Sequence, residues 1–570
     1  MNTPYITVIA VGVLITAAFS AMILTRRRAS REQLKQEIKA CWGTDVPRRF
    51  FVIEEDKARK LSDRESAAFG ASCRIDDITA SDLDLYSVTE RIGHPMSAAG
   101  AEVLFAWLRH PLLENEPLKK REALIARMTA DEEGRREAQM ILAEIGSVKG
   151  DSFYGQMEKL DSAEEIGGRR FLLPGLLTLV SLALLFVYPP AAVVLLVLSL
   201  VLNFRIHLRM REVSGEAVRG FQCVLRLLEA ADRLRKLPLS EVNGMREEMD
   251  RIVSSFSDFR RGSFWVARGG SVGTGLADAV LEYIKMFFHV DLIRFDVMLK
   301  EYRKRREDAV SLLLLVGGMD AAQAAADYRA AHPDFCIPDI TDRTEGGGRR
   351  ASLCVRDLVH PLLSDPVPNS IETDREILLT GSNASGKSTF LKSVILSAVM
   401  AQSIHTVPAS AYRASFFRIY TSMALTDNLS GGESYFIVEI RSLKRICDAA
   451  ETDGPPVLAA VDEVLRGTNT IERIAASSHI LKSLAVPNVL LFAATHDIEL
   501  AGLLASDYRN FHFGESVLEG DVRFDYILRE GKAEGRNALH LLRASGYRED
   551  VVSGAAGTAE HFEETGEWRL

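Results

Sequence analysis

The chain has no C-x-x-C pair. Its six cysteines, Cys41, Cys73, Cys223, Cys336, Cys354 and Cys447, stand apart. That spacing excludes a zinc site or a disulfide framework and reads as buried thiols kept reduced in a cytosolic setting. No internal repeat and no low-complexity tract occurs. An excess of basic charge is missing too: the 570 residues carry a net charge of −9. The chain therefore has no global electrostatic footprint for nucleic acid, and only a local patch could serve DNA. What is present, 47% hydrophobic and 26% charged residues, is the composition of a folded protein long enough for two or more domains.

Charge is absent locally in two places. Residues 5–24 carry none and are followed by Arg26-Arg27-Arg28. This length spans a hydrocarbon core. A cleaved signal peptide competes with an anchor, but the basic cluster follows the apolar run instead of preceding it. The positive-inside rule then puts the N-terminus outside and the bulk of the chain in the cytoplasm. The second block, 171–204, lies between Arg169-Arg170 and the cluster Arg205, His207, Arg209 and Arg211. Tyr188-Pro189-Pro190 splits it into two short arms, which predicts a tight helical hairpin. A buried soluble hairpin is the alternative. The scarcity of polar residues speaks for membrane insertion, since a soluble helix keeps one wet face.

Helical periodicity covers much of the remainder up to about 330. Segments 98–108, 131–145, 213–237, 239–256 and 280–315 read as helices. The run Lys300-Glu301-Tyr302-Arg303-Lys304-Arg305-Arg306 reads first as a solvated helix face. A contact to acidic lipid or nucleic acid is the alternative. Gly346-Gly347-Gly348 reads as a linker, after which strands and helices alternate, predicting a mostly parallel sheet covered by helices.

Four motifs in that last part carry chemistry. The first is Thr380-Gly381-Ser382-Asn383-Ala384-Ser385-Gly386-Lys387-Ser388-Thr389, between an apolar strand and a helix. It fits the glycine loop whose backbone N–H groups cradle nucleotide phosphates at a helix N-terminus. Lys387 is placed to reach the β- and γ-phosphates and Ser388 to ligate Mg²⁺. The second is Ser430-Gly431-Gly432-Glu433 before a helix over 435–450, an anion site or a simple helix cap. The third is an apolar strand ending in Asp462-Glu463. Asp462 is suited to hold Mg²⁺ and Glu463 to orient the attacking water. The fourth is a strand ending in Ala494-Thr495-His496-Asp497, whose His496 could sense the γ-phosphate.

In this order the motifs resemble the ATPase domain of the ABC superfamily, and specifically the MutS family of mismatch-repair ATPases. Asn383 within the loop, Asp462-Glu463-Val464-Leu465-Arg466-Gly467-Thr468-Asn469-Thr470 and Ala494-Thr495-His496 are similar to MutS segments. His360-Pro361 and Pro368-Asn369 match the lead-in, and Gly535-Arg536-Asn537-Ala538 to Gly546-Tyr547 the closing segment. Upstream, Asp82-Leu83-Asp84-Leu85 and the stretch from Ser97 to Leu112 resemble the start of the MutS helical core. The resemblance implies an ATPase using ATP and Mg²⁺. It implies a homodimer in which Ser430-Gly431-Gly432-Glu433 of one subunit completes the phosphate site of the other. Lys387, Glu463 and His496 take the catalytic roles in this reading.

Several features depart from the family. No mismatch-reading domain is found and no Phe-x-Glu wedge stands in a plausible setting, a hairpin interrupts the helical core, and Ile471-Glu472-Arg473 replaces the usual Tyr-Asp-Gly. The expectation is thus the membrane-associated MutS-related branch, in the cytoplasmic membrane with the ATPase in the cytoplasm. The fold expected is multidomain: an α-helical core and lever with transmembrane helices, plus a C-terminal α/β P-loop ATPase of ABC type. Its parts are an anchor (1–30), a juxtamembrane linker (31–75), core helices (76–168 and 212–345), the hairpin (169–211), the ATPase (346–550) and a tail (551–570). The candidate partners are a second copy, the membrane, DNA and a further protein. The function expected is a nucleotide-driven clamp on DNA, the alternative an ATP-driven membrane scaffold or mechanoprotein.

Overall fold

The computed structural model describes residues 22, 25–26, 28–44, 54–70, 72–148, 150–267, 283–341, 350–382, 385–423, 435–465, 468–518, 521–532, 542–543 and 546–569. Apart from Met22, the expected anchor at 5–24 lies outside them, as do Asn383, Ala384 and the segment Ser430-Gly431-Gly432-Glu433. The chain divides into two compact units. One holds 1–64, 93–104 and 123–331; the other holds 65–92, 105–122 and 332–570.

The first unit is helical. Two of its helices start where short polar side chains take up free N–H groups. Asp131 accepts from Gly134 N ahead of Glu132–Ile145, and Ser152 from Gly155 N ahead of Phe153–Ser162. The helix Arg306–Ala331 is apolar and long enough to cross a membrane by composition, yet it is 83% buried and forms the core of this unit. The stretch read as one helix over 280–315 is broken in its described part. His289 (φ 52°) and Arg305 (φ −123°) separate Val290–Lys304 from its neighbours on either side. Apolar periodicity does not reveal such local left-handed or irregular residues. Likewise Pro238–Gly244 is a 3₁₀ turn ahead of Met245–Ser255, because Gly244 at φ +71° resets the chain. The basic run at 300–306 is engaged by acids of its own unit. Lys300 pairs with Glu165 at 3.0 Å, Arg306 with Asp161 at 2.7 Å, and Arg305 with Glu301.

The hairpin consists of Leu172–Leu184 and Pro189–Leu234, with the prolines at the start of the second helix, where they need no hydrogen bond. The second helix is 46 residues long and runs unbroken through residue 211 into the helical unit. At 1.5 Å per residue it is about 69 Å long. Its first part, Pro189–Met210, is only 17% buried and is long and apolar enough to cross a bilayer. The outer faces are apolar and exposed, Leu173 by 72%, Phe186 by 93% and Leu198 by 61%. The few polar residues point inward. Asn203 Nδ2 donates to Thr178 Oγ1 (2.8 Å) and to Pro174 O (3.2 Å), and Asn203 Oδ1 lies 2.8 Å from His289 Nε2.

The second unit is α/β, with two sheets where the sequence led us to expect one. A four-stranded mixed sheet has the order β1-β5-β2-β3, from Asp339–Thr341, Ala411–Ser415, Leu353–Leu358 and Asn369–Thr373. The six-stranded sheet has the order β10-β9-β4-β8-β7-β6. Its parallel strands are β9 Arg509–Leu518, β4 Ile377–Thr380, β8 Val489–Thr495, β7 Val457–Asp462 and β6 Arg418–Ser422. β10 Asp521–Glu530 closes one edge antiparallel to β9. β4 and β8 are buried throughout, as continuous apolar runs in a parallel sheet must be. Phe390, Phe492 and Phe513 pack edge to face around β4.

Candidate functional site

Three neighbouring strands deliver the expected residues to one edge. In register, Thr380 pairs with Thr495 and Asp462 with Ala494, so the ends of β4, β8 and β7 lie level. The glycine loop leaves β4, His496 follows β8, and Asp462-Glu463 closes β7. Ligands bind at this carboxyl edge in open parallel sheets.

Gly381 at φ +140° turns the chain out of β4, and Gly386 at φ +103° turns it into the helix Lys387–Ile404. The buried Lys387 amine donates to the carbonyls of Gly381 and Ser382, each at 2.7 Å. Ser385 Oγ donates to Ser382 O at 2.9 Å. Thr389 lies on the first turn of the helix. The Ser388 hydroxyl donates to Asp462 Oδ2. A hydroxyl and a carboxylate facing each other are the hard oxygen donors Mg²⁺ prefers, so the residues fit that ion.

Glu463 sits just past β7 at φ +58°, a costly conformation for a residue with a side chain. Its N–H is held by Ala494 O at 2.9 Å. Its carboxylate Oε2 lies 3.5 Å from His496 Nδ1. Hydrogen bonding to Glu463 holds the His496 imidazole above its ordinary range, against the desolvation that lowers it. The sheet edge thus brings Lys387, Ser388, Asp462, Glu463 and His496 together.

Two features had little or no sequence signal. A cavity of about 270 Å³ adjoins the loop, lined by Thr389, His360, Val367, Asn369, Phe513 and Tyr526. Burial pushes the His360 imidazole down to about 4, so it is neutral there. Asn369 was legible only as part of the lead-in Pro368-Asn369. Its side chain pins β10, donating to Tyr526 O (2.9 Å) and accepting from Leu528 N (2.7 Å). The second is the pair Arg473–Asp497, with Nε to Oδ2 at 2.9 Å and Nη2 to Oδ1 at 2.7 Å. The hydrogen bond to Asp497 pushes the Arg473 guanidinium further up, and the charges of Asp497 and Glu463 add to this.

The fold sets the class: an α/β domain with its chemically equipped residues at the carboxyl edge of a parallel sheet. Comparison adds a similarity to known proteins. Residues 377–563 match the family model described as MutS domain V. The chain is 33% identical over 279 residues to the DNA mismatch repair protein MutS of Natronomonas pharaonis, covering 46% of this chain and 30% of that protein. It is 29% identical over 262 residues to MutS of Thermus aquaticus, covering 45% and 31%. It is 31% identical over 254 residues to the DNA mismatch repair protein MSH6 of Saccharomyces cerevisiae, covering 40% and 20%. The chain thus spans between a fifth and a third of the length of these relatives. The similarity to MutS proteins rests on this part of the chain, with the MutS domain V match at residues 377–563.

Proposed function

We propose that this chain is a membrane-anchored MutS-related ATPase whose nucleotide cycle opens and closes a homodimeric clamp. The observation that carries the reading is the meeting of Lys387, Ser388, Asp462, Glu463 and His496 at one sheet edge. In the proposed complex the loop N–H groups and the helix N-terminus hold the phosphates of ATP. The Lys387 amine exchanges its loop carbonyls for phosphate oxygens. Ser388 and Asp462 hold Mg²⁺, which supplies neutralisation of phosphate charge when bound. Glu463 orients water toward the γ-phosphate, and His496 fixes the Glu463 carboxylate. The cavity under Tyr526 and Val367 takes the base. Ser430-Gly431-Gly432-Glu433 of the second subunit closes the site, so ATP joins the two copies and hydrolysis parts them.

The relatives are named for DNA mismatch repair, and we extend a DNA-associated role to this clamp. The exposed apolar hairpin favours a second reading, an ATP-driven membrane scaffold acting on a protein or lipid. Turnover of the detergent-solubilised full chain, with and without homoduplex, mismatched and branched DNA, separates them. Stimulation by DNA supports the clamp; turnover indifferent to every DNA supports the scaffold. Glu463→Gln is expected to keep ATP affinity and lose turnover by about a hundredfold or more. Undiminished turnover in that variant removes the role given to Glu463. Lys387→Ala is expected to lose ATP affinity, read by calorimetry, because the phosphates lose their counter-charge.

A further inference from the structure

The segment Ile471-Glu472-Arg473 departs from the family pattern, and the ATPase reading leaves it without a task. Its arginine is the residue that pairs with Asp497. We propose that Arg473 is a positioning residue for hydrolysis, holding the turn that carries His496 so that the imidazole faces Glu463. The inference rests on the ATPase reading above.

The geometry has three parts. The pair is bidentate and largely shielded from water, with 15% of the Arg473 side chain and 9% of Asp497 exposed. Such fork-to-carboxylate pairs fix orientation as well as distance. Asp497 is the residue after His496, and its N–H donates to Thr495 Oγ1 at 3.0 Å, so the turn is tied on both sides of the histidine. Arg473 itself is placed by the first turn of Thr470–Ser483. There Asn469 caps the helix by accepting from Glu472 N at 3.0 Å, and Thr468 Oγ1 donates to Glu472 Oε2 at 3.1 Å. Arg473 therefore links the chain leaving β7, which bears Glu463, to the chain leaving β8, which bears His496.

The pair also removes a competitor. His496 stands between two carboxylates, with Nδ1 3.5 Å from Glu463 and Nε2 3.8 Å from Asp497. Both oxygens of Asp497 are occupied by the guanidinium. Without it, Asp497 becomes an uncompensated, mostly buried charge beside the imidazole and draws it away from Glu463.

The test uses the full chain in detergent with Mg²⁺ and ATP, comparing wild type, Glu463→Gln, Arg473→Gln, Arg473→Lys, Asp497→Asn and the double variant R473Q/D497N. Arg473→Gln is expected to lower kcat about tenfold, with KM and ATP affinity by calorimetry unchanged within about twofold. Arg473→Lys recovers part of that loss, because it keeps the charge but not the fork. The double variant exceeds Arg473→Gln alone, because the competing carboxylate is gone. Should Arg473→Gln not fold, Arg473→Lys and Asp497→Asn carry the comparison, each expected below wild type in kcat alone. Turnover abolished in Glu463→Gln but untouched in Arg473→Gln overturns this inference and leaves the ATPase reading standing. Loss of ATP affinity in step with kcat overturns positioning in favour of a merely structural pair. A wild-type chain without turnover overturns both.

Discussion

A single methyl group is a tight fit at Gly386. The backbone there stands at φ +103°, and an added Cβ would lie 3.1 Å from the Cδ1 of Tyr526. Gly386→Ala therefore imposes backbone strain of roughly 1–3 kcal/mol. It also crowds Tyr526, which lines the cavity proposed for the base. Lowered thermal stability together with weakened ATP binding is the expected result. Gly502 is the control: it lies within the helix Ile498–Leu503 with open space around its Cα. Gly502→Ala is expected to stabilise by about 0.5–1 kcal/mol. Equal melting temperatures for the two variants would refute the argument. The two residues that meet at Gly386 also differ in what sequence reveals. Phosphate chemistry demands glycines at fixed spacing, so the loop is legible from the residues alone. Tyr526 reaches it only because β10 pairs with β9 through an irregularity between Phe524 and Leu528, a long-range event without a local motif.

At the scale of elements, β6 ends against a helix from far upstream. Asp76 caps Asp77–Asp82 by accepting from Thr79 N at 2.8 Å. At the other end of that helix the buried Asp82 accepts from Thr421 Oγ1 (2.6 Å) and from Met423 N (3.0 Å). Thr79 Oγ1 accepts from Thr421 N at 3.1 Å, and Arg445 bridges Asp76 and Thr421 O. The exit of β6 toward Ser430-Gly431-Gly432-Glu433 is thus held by residues outside the matched 377–563. Asp82→Ala leaves two buried donors without an acceptor and is expected to cost roughly 1–3 kcal/mol of stability in denaturant unfolding. ATP turnover is expected to fall with it, because the strand end that leads to the proposed in-trans segment is freed. Unaltered turnover in a folded Asp82→Ala chain would break that link. Asp82 was legible only as part of a resemblance, since hydrogen bonds across such sequence separation leave no periodicity. The strands β4, β7 and β8 were legible as apolar runs. The four-stranded sheet was not, because strands as short as Asp339–Thr341 carry too few residues for a pattern.

At the scale of the whole molecule, the hairpin carries the proposal of membrane anchoring. In water its outer residues leave large apolar side chains wet, each forgoing about 1.5–3 kcal/mol of burial. Meanwhile Thr178, Ser181, Ser199 and Asn203 are buried between and beside the arms. Apolar outside and polar inside is the arrangement that suits lipid, where small and hydroxylated residues pack helices together. Pro189–Met210 has 22 residues, about 33 Å at 1.5 Å each, which matches a hydrocarbon core. The first arm, Leu172–Leu184, has 13 residues and is shorter than a full span. Two substitutions separate lipid contact from hairpin integrity. Leu198→Glu places a charge on a face that is 61% exposed in the protein, so folding is expected to survive while co-flotation with phospholipid vesicles falls sharply. Asn203→Leu is expected to leave flotation intact and to lower thermal stability in detergent, because Thr178 and His289 lose their partner. A full chain that stays monodisperse without detergent and ignores vesicles would place the hairpin in water instead. Since Pro189–Leu234 continues unbroken from the hairpin into the helical unit, whatever holds the hairpin also fixes that long helix. Under the proposed membrane anchoring, a hairpin held in lipid would tether that long helix along its whole length.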